Sequence, residues 1–254
     1  MKLLEVKNLS VNYGTFNILR NVDFFMEENQ WLMIVGPNGA GKSTLINAVS
    51  QYIDYTGDVF YLNKDIKTYK SKELAQNLGV LSQSYYINYP FTVNEVVSLG
   101  RYAYAPGIFS QKSGQDEEKV QNALKLTGLS EFVNRSVLTL SKGELQRTFL
   151  AQVFAQDPKI LMLDEPTNYL DLVYQKQILE LVSKWYRKDK RAVISVVHDL
   201  SLAKAYGTNA LLLDKGKVIA YGETDKVLTP ENLEKVYSMD VYTWMKNMLE
   251  QWNE

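Results

Sequence analysis

Residues 36–43 read GPNGAGKS, a G-x-x-x-x-G-K-S run that follows the apolar stretch WLMIV and precedes the helically spaced TLINAVSQYI. Strand, glycine-rich loop and helix in that order build a phosphate cradle. The glycines let backbone N–H groups curl around an anion, and the helix start adds positive potential. Lys42 is expected to reach the β- and γ-phosphates of a bound nucleotide and Ser43 to ligate Mg²⁺, with Gly36, Pro37, Asn38, Gly39, Ala40, Gly41 and Thr44 completing the loop. A second apolar run, ILML, ends in Asp164 and Glu165. Asp164 suits the Mg²⁺ shell, and Glu165 can polarise the water that attacks the γ-phosphate. His198, the single histidine, follows VISVV, and Gln83 ends GVLSQ. His198 is expected to contact the γ-phosphate, and the Gln83 amide to contact Mg²⁺ or the attacking water. Without the phosphate loop, all of these would pass for an acidic turn, a satisfied histidine and a loop amide.

The elements that must position these residues follow from periodicity. Alternating strands LLEVKNLSVNYG and ILRNVDFFME lead into QWLMIV and the loop, and YTGDVFYLN reads as a further strand. SKELAQNLG reads as a helix started by Ser71, before the short buried strand GVLSQ. From residue 84 the texture turns helical. Thr92 and Glu95 have capping-box spacing. Acidic residues 116–118 open a helix carrying Val120, Leu124 and Thr127, stopped by Gly128. Strand texture returns at KILMLDEP, RAVISVVHDL and NALLLDKGKVIAYG. Continuous apolar strands alternating with helices predict a parallel sheet covered on both faces, with ligands beyond the strands' carboxyl ends. Residues 84–157 read as a helical insertion in an α/β core made of 1–83 and 158–254.

Bulk properties narrow the function classes. The chain has 254 residues, 46% of them apolar and 22% charged, enough to bury a core. A formal charge of -1 supplies no field for nucleic acid or anionic lipid, so no nucleic-acid partner is expected. Cysteine is absent, which excludes disulfides and thiolate metal sites. The N-terminus lacks the apolar core of a signal peptide, and no apolar run approaches the roughly 20 residues that span a bilayer. A cytoplasmic location follows unless another protein carries the chain to a membrane.

Ser141 and Glu144, in LSKGELQR, again have capping-box spacing, before the helical run LQRTFLAQVFAQ. Tyr13, GPNGAGKST, Gln83, LSKGE, LMLDEP, NYLD and VVHDL occur in the order and spacing of the ATP-binding cassette (ABC) ATPases, and the resemblance covers nearly the whole chain. It implies a P-loop NTPase fold: an α/β core with a parallel sheet, an N-terminal antiparallel β subdomain and an inserted helical subdomain. It also implies ATP and Mg²⁺ as cofactors. Tyr13 would stack on adenine. Ser141, Lys142, Gly143 and Glu144 form the signature, whose Ser141 and Gly143 would contact the γ-phosphate held by a second subunit, and Asp171 would link the two sites. One copy's loop and signature lie far apart, so a two-fold homodimer would complete both sites at once.

The chain departs from the family at Lys142, where glycine is usual. With Ser141 as N-cap, Lys142 is the first helical residue and needs no glycine backbone. A cation there costs a few tenths of a kcal/mol at an exposed site, a cost offset if an ATP phosphate approaches. The alternative is a tolerated, solvent-facing side chain.

TVNEVVSLGRYAYAPGIFSQKSGQDEEKVQNALKLTGL and LDEPTNYLDL resemble the ATPases of iron-siderophore, haem and vitamin B12 importers; the branch often has Pro-His where AYAP stands here. The resemblance implies permease subunits as membrane partners, docked through the insertion and the Gln83 loop. Through them it implies a substrate-binding protein and a place on the cytoplasmic face of the membrane. Zinc, manganese or molybdate importers are the alternative substrate group. A translation-associated relative would carry two phosphate loops, a DNA-repair relative a long coiled-coil insertion, and a non-catalytic module would lack Glu165 or His198. In the tail, Val241, Trp244, Met245, Met248, Leu249 and Trp252 share one helical face, for packing in cis or against a second copy.

Overall fold

The computed structural model describes residues 1–82, 88–105, 114–168, 170–187 and 189–252. Along the chain run β1 (Lys2–Tyr13), β2 (Phe16–Glu27), β3 (Trp31–Val35), α1 (Lys42–Val49), β4 (Thr56–Tyr61), β5 (Lys64–Asp65), α2 (Ser71–Asn77) and β6 (Leu78–Leu81). Then come α3 (Val93–Leu99), α4 (Gly114–Leu126), α5 (Lys142–Gln156), β7 (Ile160–Asp164), α6 (Leu172–Tyr186) and β8 (Ala192–Val196). The last elements are α7 (Leu200–Tyr206), β9 (Asn209–Asp214), β10 (Lys217–Glu223), α8 (Thr224–Val227), α9 (Pro230–Tyr237) and α10 (Val241–Glu250). They fall into two compact units, Met1–Lys67 with Ser195–Glu254, and Thr68–Ile194, the division passing through β8.

In the first unit an antiparallel sheet has the order β2-β1-β4-β5. Alternation in β1 buries Leu4 and Val6, and after a register break at Asn8 (φ 50°) it resumes with Leu9 and Val11 buried. β3 is buried along its whole length and pairs parallel with β9, the pattern of a strand covered on both faces. Its indole anchor, Trp31, donates from Nε1 to Ser195 Oγ at 2.8 Å. NALLLDKGKVIAYG, expected as strand texture throughout, is a hairpin: Lys215 (φ 45°) and Gly216 (φ 76°) turn the chain, and β10 returns antiparallel to β9. Two successive left-handed residues match the right-handed twist of the flanking strands.

In the second unit β6 pairs parallel with β7, register Leu78↔Ile160 to Leu81↔Leu163. Ser71 is the first helical residue of α2, and the cap position falls on Lys70, which makes no side-chain cap. The capping box at Thr92 and Glu95 opens α3. α4 begins at Gly114, ahead of the acidic residues, and the chain turns away at Gly128 with φ 68°. Arg101 ties these helices together, donating from Nε to Asp116 at 2.8 Å and from a guanidinium nitrogen to Ala155 O at 2.8 Å. Phe154 of α5 stacks on Trp185 of α6, centroids 5.4 Å apart at 7°.

The tail stripe divides. Val241 is buried, Met245 lines a groove with Leu200 and Leu233, and Trp244, Met248, Leu249 and Trp252 stand exposed.

Candidate functional site

The phosphate loop is built entirely within the first unit. β3 delivers the chain to Gly36 at φ 149°, where a Cβ would collide with the Leu213 carbonyl oxygen at the end of β9. Only glycine lets the loop leave the sheet there. The rest of the loop is strapped by backbone bonds. Ala40 N–H donates to Pro37 O at 3.2 Å, Gly216 N–H to Ala40 O at 3.1 Å, and Arg20 N–H to Gly216 O at 2.8 Å. Asn38 and Gly39 form the exposed tip, and Gly41 precedes α1, leaving Lys42, Ser43 and Thr44 in its first turn. The N–H groups of a first turn lack intrahelical acceptors, which suits them to phosphate oxygens. Lys42 is buried, and its Nζ donates to Gly36 O at 2.8 Å and Pro37 O at 2.9 Å, folding the ammonium into the loop.

Two other residues predicted to contact nucleotide belong to the same unit. Val197 N–H donates to Ile34 O at 3.3 Å, so His198 emerges, exposed, beside the strand that enters the loop. Asp199 caps α7 through Ser201 N–H at 2.7 Å. Tyr13 is exposed at the end of β1, across the turn from exposed Phe16, its ring open for stacking. Sequence reasoning missed Tyr237 of α9. Burial pushes its hydroxyl pKa up, while a hydrogen bond from the Gly36 backbone pulls the other way. No spacing rule links residue 237 to the loop.

The second unit holds the carboxylates and the signature. β7 is buried throughout and ends in Asp164, 7% exposed. Glu165 follows in the left-handed region at φ 53°, which turns its side chain out of the strand's alternation. Asn168 holds this carboxylate: its Nδ2 donates to Glu165 Oε2, and its backbone N–H donates to Glu165 O at 3.2 Å. Asn168 was also missed as a partner of Glu165: it opens the NYLD stretch, but no spacing rule ties that amide to the carboxylate three residues before it.

Ser141 is the N-cap of α5 and Lys142 its first helical residue, as the capping-box spacing predicts. Ser141 N–H donates to Glu144 Oε2 at 2.7 Å, and Glu144 N–H donates to Ser141 Oγ at 3.3 Å. Gly143 is required for a different reason: a Cβ there would lie 2.8 Å from the Tyr174 ring. Tyr174 N–H in turn donates to Asp171 Oδ1 at 3.0 Å, so Asp171 is the N-cap of α6. Gln146 of α5 donates to Pro166 O at 3.1 Å. The starts of α5 and α6 and the turn after Glu165 are thus locked together.

Hydrogen bonds from the Ser141 backbone and side chain hold the Glu144 carboxyl below the usual carboxylate range. A depressed carboxylate pKa gives stability that is present above the unfolded value and lost as pH falls through the folded one. Melting Glu144→Gln, which keeps the capping bond and loses only the charge, should show a difference of about 0.5 kcal/mol at neutral pH, shrinking as acidification protonates the folded carboxyl. A difference independent of pH would remove the ionised cap.

Gln83 lies outside the described residues. Among the described residues no group of His, Cys, Asp and Glu is arranged to hold a metal on its own.

A family model described as "ABC transporter" matches residues 19–168, more than half of the chain. The chain belongs to the ABC transporter family. ABC ATP-binding subunits of import systems are ATPases, and this chain is an ABC ATPase with ATP as its nucleotide. It is 38% identical over 239 residues to the uncharacterised ABC transporter ATP-binding protein YvrA of Bacillus subtilis, spanning 94% of this chain but 54% of that one. It is 35% identical to the ferric enterobactin transport ATP-binding protein FepC of Escherichia coli, over 93% of this chain and 87% of the relative. Among solved structures, an inward-facing ABC transporter of metal-chelate type superposes with a TM-score of 0.82 at 27% identity, covering 94% of this chain and 90% of that one.

Proposed function

We propose that this ABC ATPase drives an importer of the iron-siderophore, haem or cobalamin class, working as a homodimer that closes on two ATP molecules against separate permease subunits. The observation that carries the importer assignment is the likeness to a ferric enterobactin transport subunit over 93% of the chain. No helix among the described residues is long and apolar enough to cross a membrane, and the separate permease subunits would supply the transport path. Exposed Tyr89, Phe91, Leu99 and Tyr102 of the second unit offer the apolar surface on which a permease would dock, within the insertion assigned to residues 84–157. Affinity purification from native membranes tests this directly: a multi-spanning permease should accompany the chain, and recovery of the chain alone from intact membranes would refute it.

Within the closed dimer, Lys42 and the loop N–H groups would bind the β- and γ-phosphates and Tyr13 would stack on adenine. Glu165, oriented by Asn168, would take the proton of the attacking water, while His198 would contact the γ-phosphate. Ser43 and Asp164 each offer a hard oxygen donor of the kind Mg²⁺ takes, a hydroxyl and a buried carboxylate. With Gln83 they would hold it, and when bound it neutralises phosphate charge. Ser141 and Gly143 would meet the partner's nucleotide, and exposed Leu172 and Val173 beside Asp171 supply apolar surface for pairing.

Lys142 is exposed at the first position of α5, placed to add a cation to that contact. Lys142→Gly should raise the ATP concentration needed for dimerisation about threefold to tenfold, read by sedimentation. An unchanged midpoint would make the lysine a tolerated surface residue.

A further inference from the structure

Away from the phosphate loop and Glu165, the second unit holds a cavity of about 570 Å³ between α4, the end of α5 and the C-terminal part of α6. That volume lies in the range of small-molecule sites. One wall is apolar, formed by Ala123, Leu126 and the Phe154–Trp185 stack. The rest is charged, and the charges do not balance. Asp157 and Asp189 are taken up by Arg191, and Asp157 also accepts from Lys119 at 2.7 Å. Arg191 is in turn fixed over the Trp185 ring, 4.5 Å from its centroid. Two carboxylates therefore neutralise two cations. Lys125 and Lys184 line the same cavity and make no ion pair among the described residues.

Each of these lysines sits in the last turn of its helix, where a single cation is favoured by the helix dipole. Their convergence on one cavity with a polar amide, Asn122, and an apolar wall is a different matter. Two unneutralised ammonium groups, both exposed to solvent, raise the local concentration of anions beside the apolar wall.

We propose that this cavity binds a small organic anion carrying two acidic groups, its charges on Lys125 and Lys184 and its body against Leu126 and the aromatic stack. Inorganic phosphate satisfies the charges but has no body to bury, so the two sources of negative charge are separable.

Titration calorimetry with phthalate tests this on the full chain, with the phosphate loop saturated by ADP so that it does not compete. One phthalate should bind per chain. The double variant Lys125→Gln/Lys184→Gln should bind at least about tenfold more weakly, since charge-assisted hydrogen bonds are lost. Lys176→Gln, a variant of an exposed lysine beside Glu180 at 3.8 Å, should bind as the parent does. No phthalate binding, or equal binding by the parent and the double variant, would overturn the site. Inorganic phosphate binding as tightly as phthalate would overturn the organic character of its ligand.

Discussion

Glu165→Gln is expected to bind ATP normally, hydrolyse it about 10²–10⁴-fold more slowly and accumulate as a closed dimer. The geometry explains why this substitution isolates chemistry from binding. Glu165 sits at φ 53°, fixed by the turn in which Asn168 N–H donates to its carbonyl at 3.2 Å. Its carboxylate accepts from Asn168 Nδ2, and a glutamine carbonyl oxygen accepts the same bond. The side chain therefore stays in place and only its capacity to take a proton is lost. Single-turnover hydrolysis and sedimentation with ATP measure the two effects separately. Normal turnover in this variant would remove Glu165 from the role of base.

Gly36→Ala is expected to abolish ATP binding and to cost about 3 kcal/mol of stability. The added methyl group meets the Leu213 carbonyl oxygen, a backbone atom of a buried strand that cannot yield without opening the β3–β9 pairing. The φ of 149° adds strain that any side chain suffers. Gly39→Ala provides the contrast. Its φ is 79°, but a Cβ there meets nothing within 4 Å, so it should cost about 1 kcal/mol and leave the loop standing. Denaturant unfolding and a fluorescent nucleotide titration read both variants. Nucleotide binding by Gly36→Ala at the parent's affinity would contradict the loop geometry.

Much of this arrangement was legible in the sequence because it rests on local rules. WLMIV and ILML are buried along their whole length, and each is followed by its chemistry, the phosphate loop after one and Asp164–Glu165 ending the other. The reciprocal bonds of Ser141 and Glu144 are fixed by a spacing of three residues, which is why Lys142 could be placed at the helix start without coordinates. What escaped depends on contacts distant in sequence. Tyr237 reaches Gly36 through the packing of α9, and Tyr174 explains Gly143 only when the starts of α5 and α6 are seen together. The hairpin at Lys215 and Gly216 escaped because the polar break DKGK between two apolar runs was read inside one span of strand texture. The tail helix forms where its stripe predicts, but the stripe divides: Val241 is buried and Met245 lines a groove, while Trp244, Met248, Leu249 and Trp252 stand exposed. Periodicity defines a face and does not say what covers it.

We propose that ATP hydrolysis by this chain moves an iron chelate or a related macrocycle through a separate permease. The most direct measurement of this is uptake into vesicles containing the chain with its co-purified permease and binding protein, with ATP supplied on the side that faces this chain. ATP-dependent accumulation of a ferric siderophore, haem or cobalamin is expected, and it is lost in Glu165→Gln. Accumulation of zinc, manganese or molybdate instead, or ATP hydrolysis with no uptake of any of these, would contradict it.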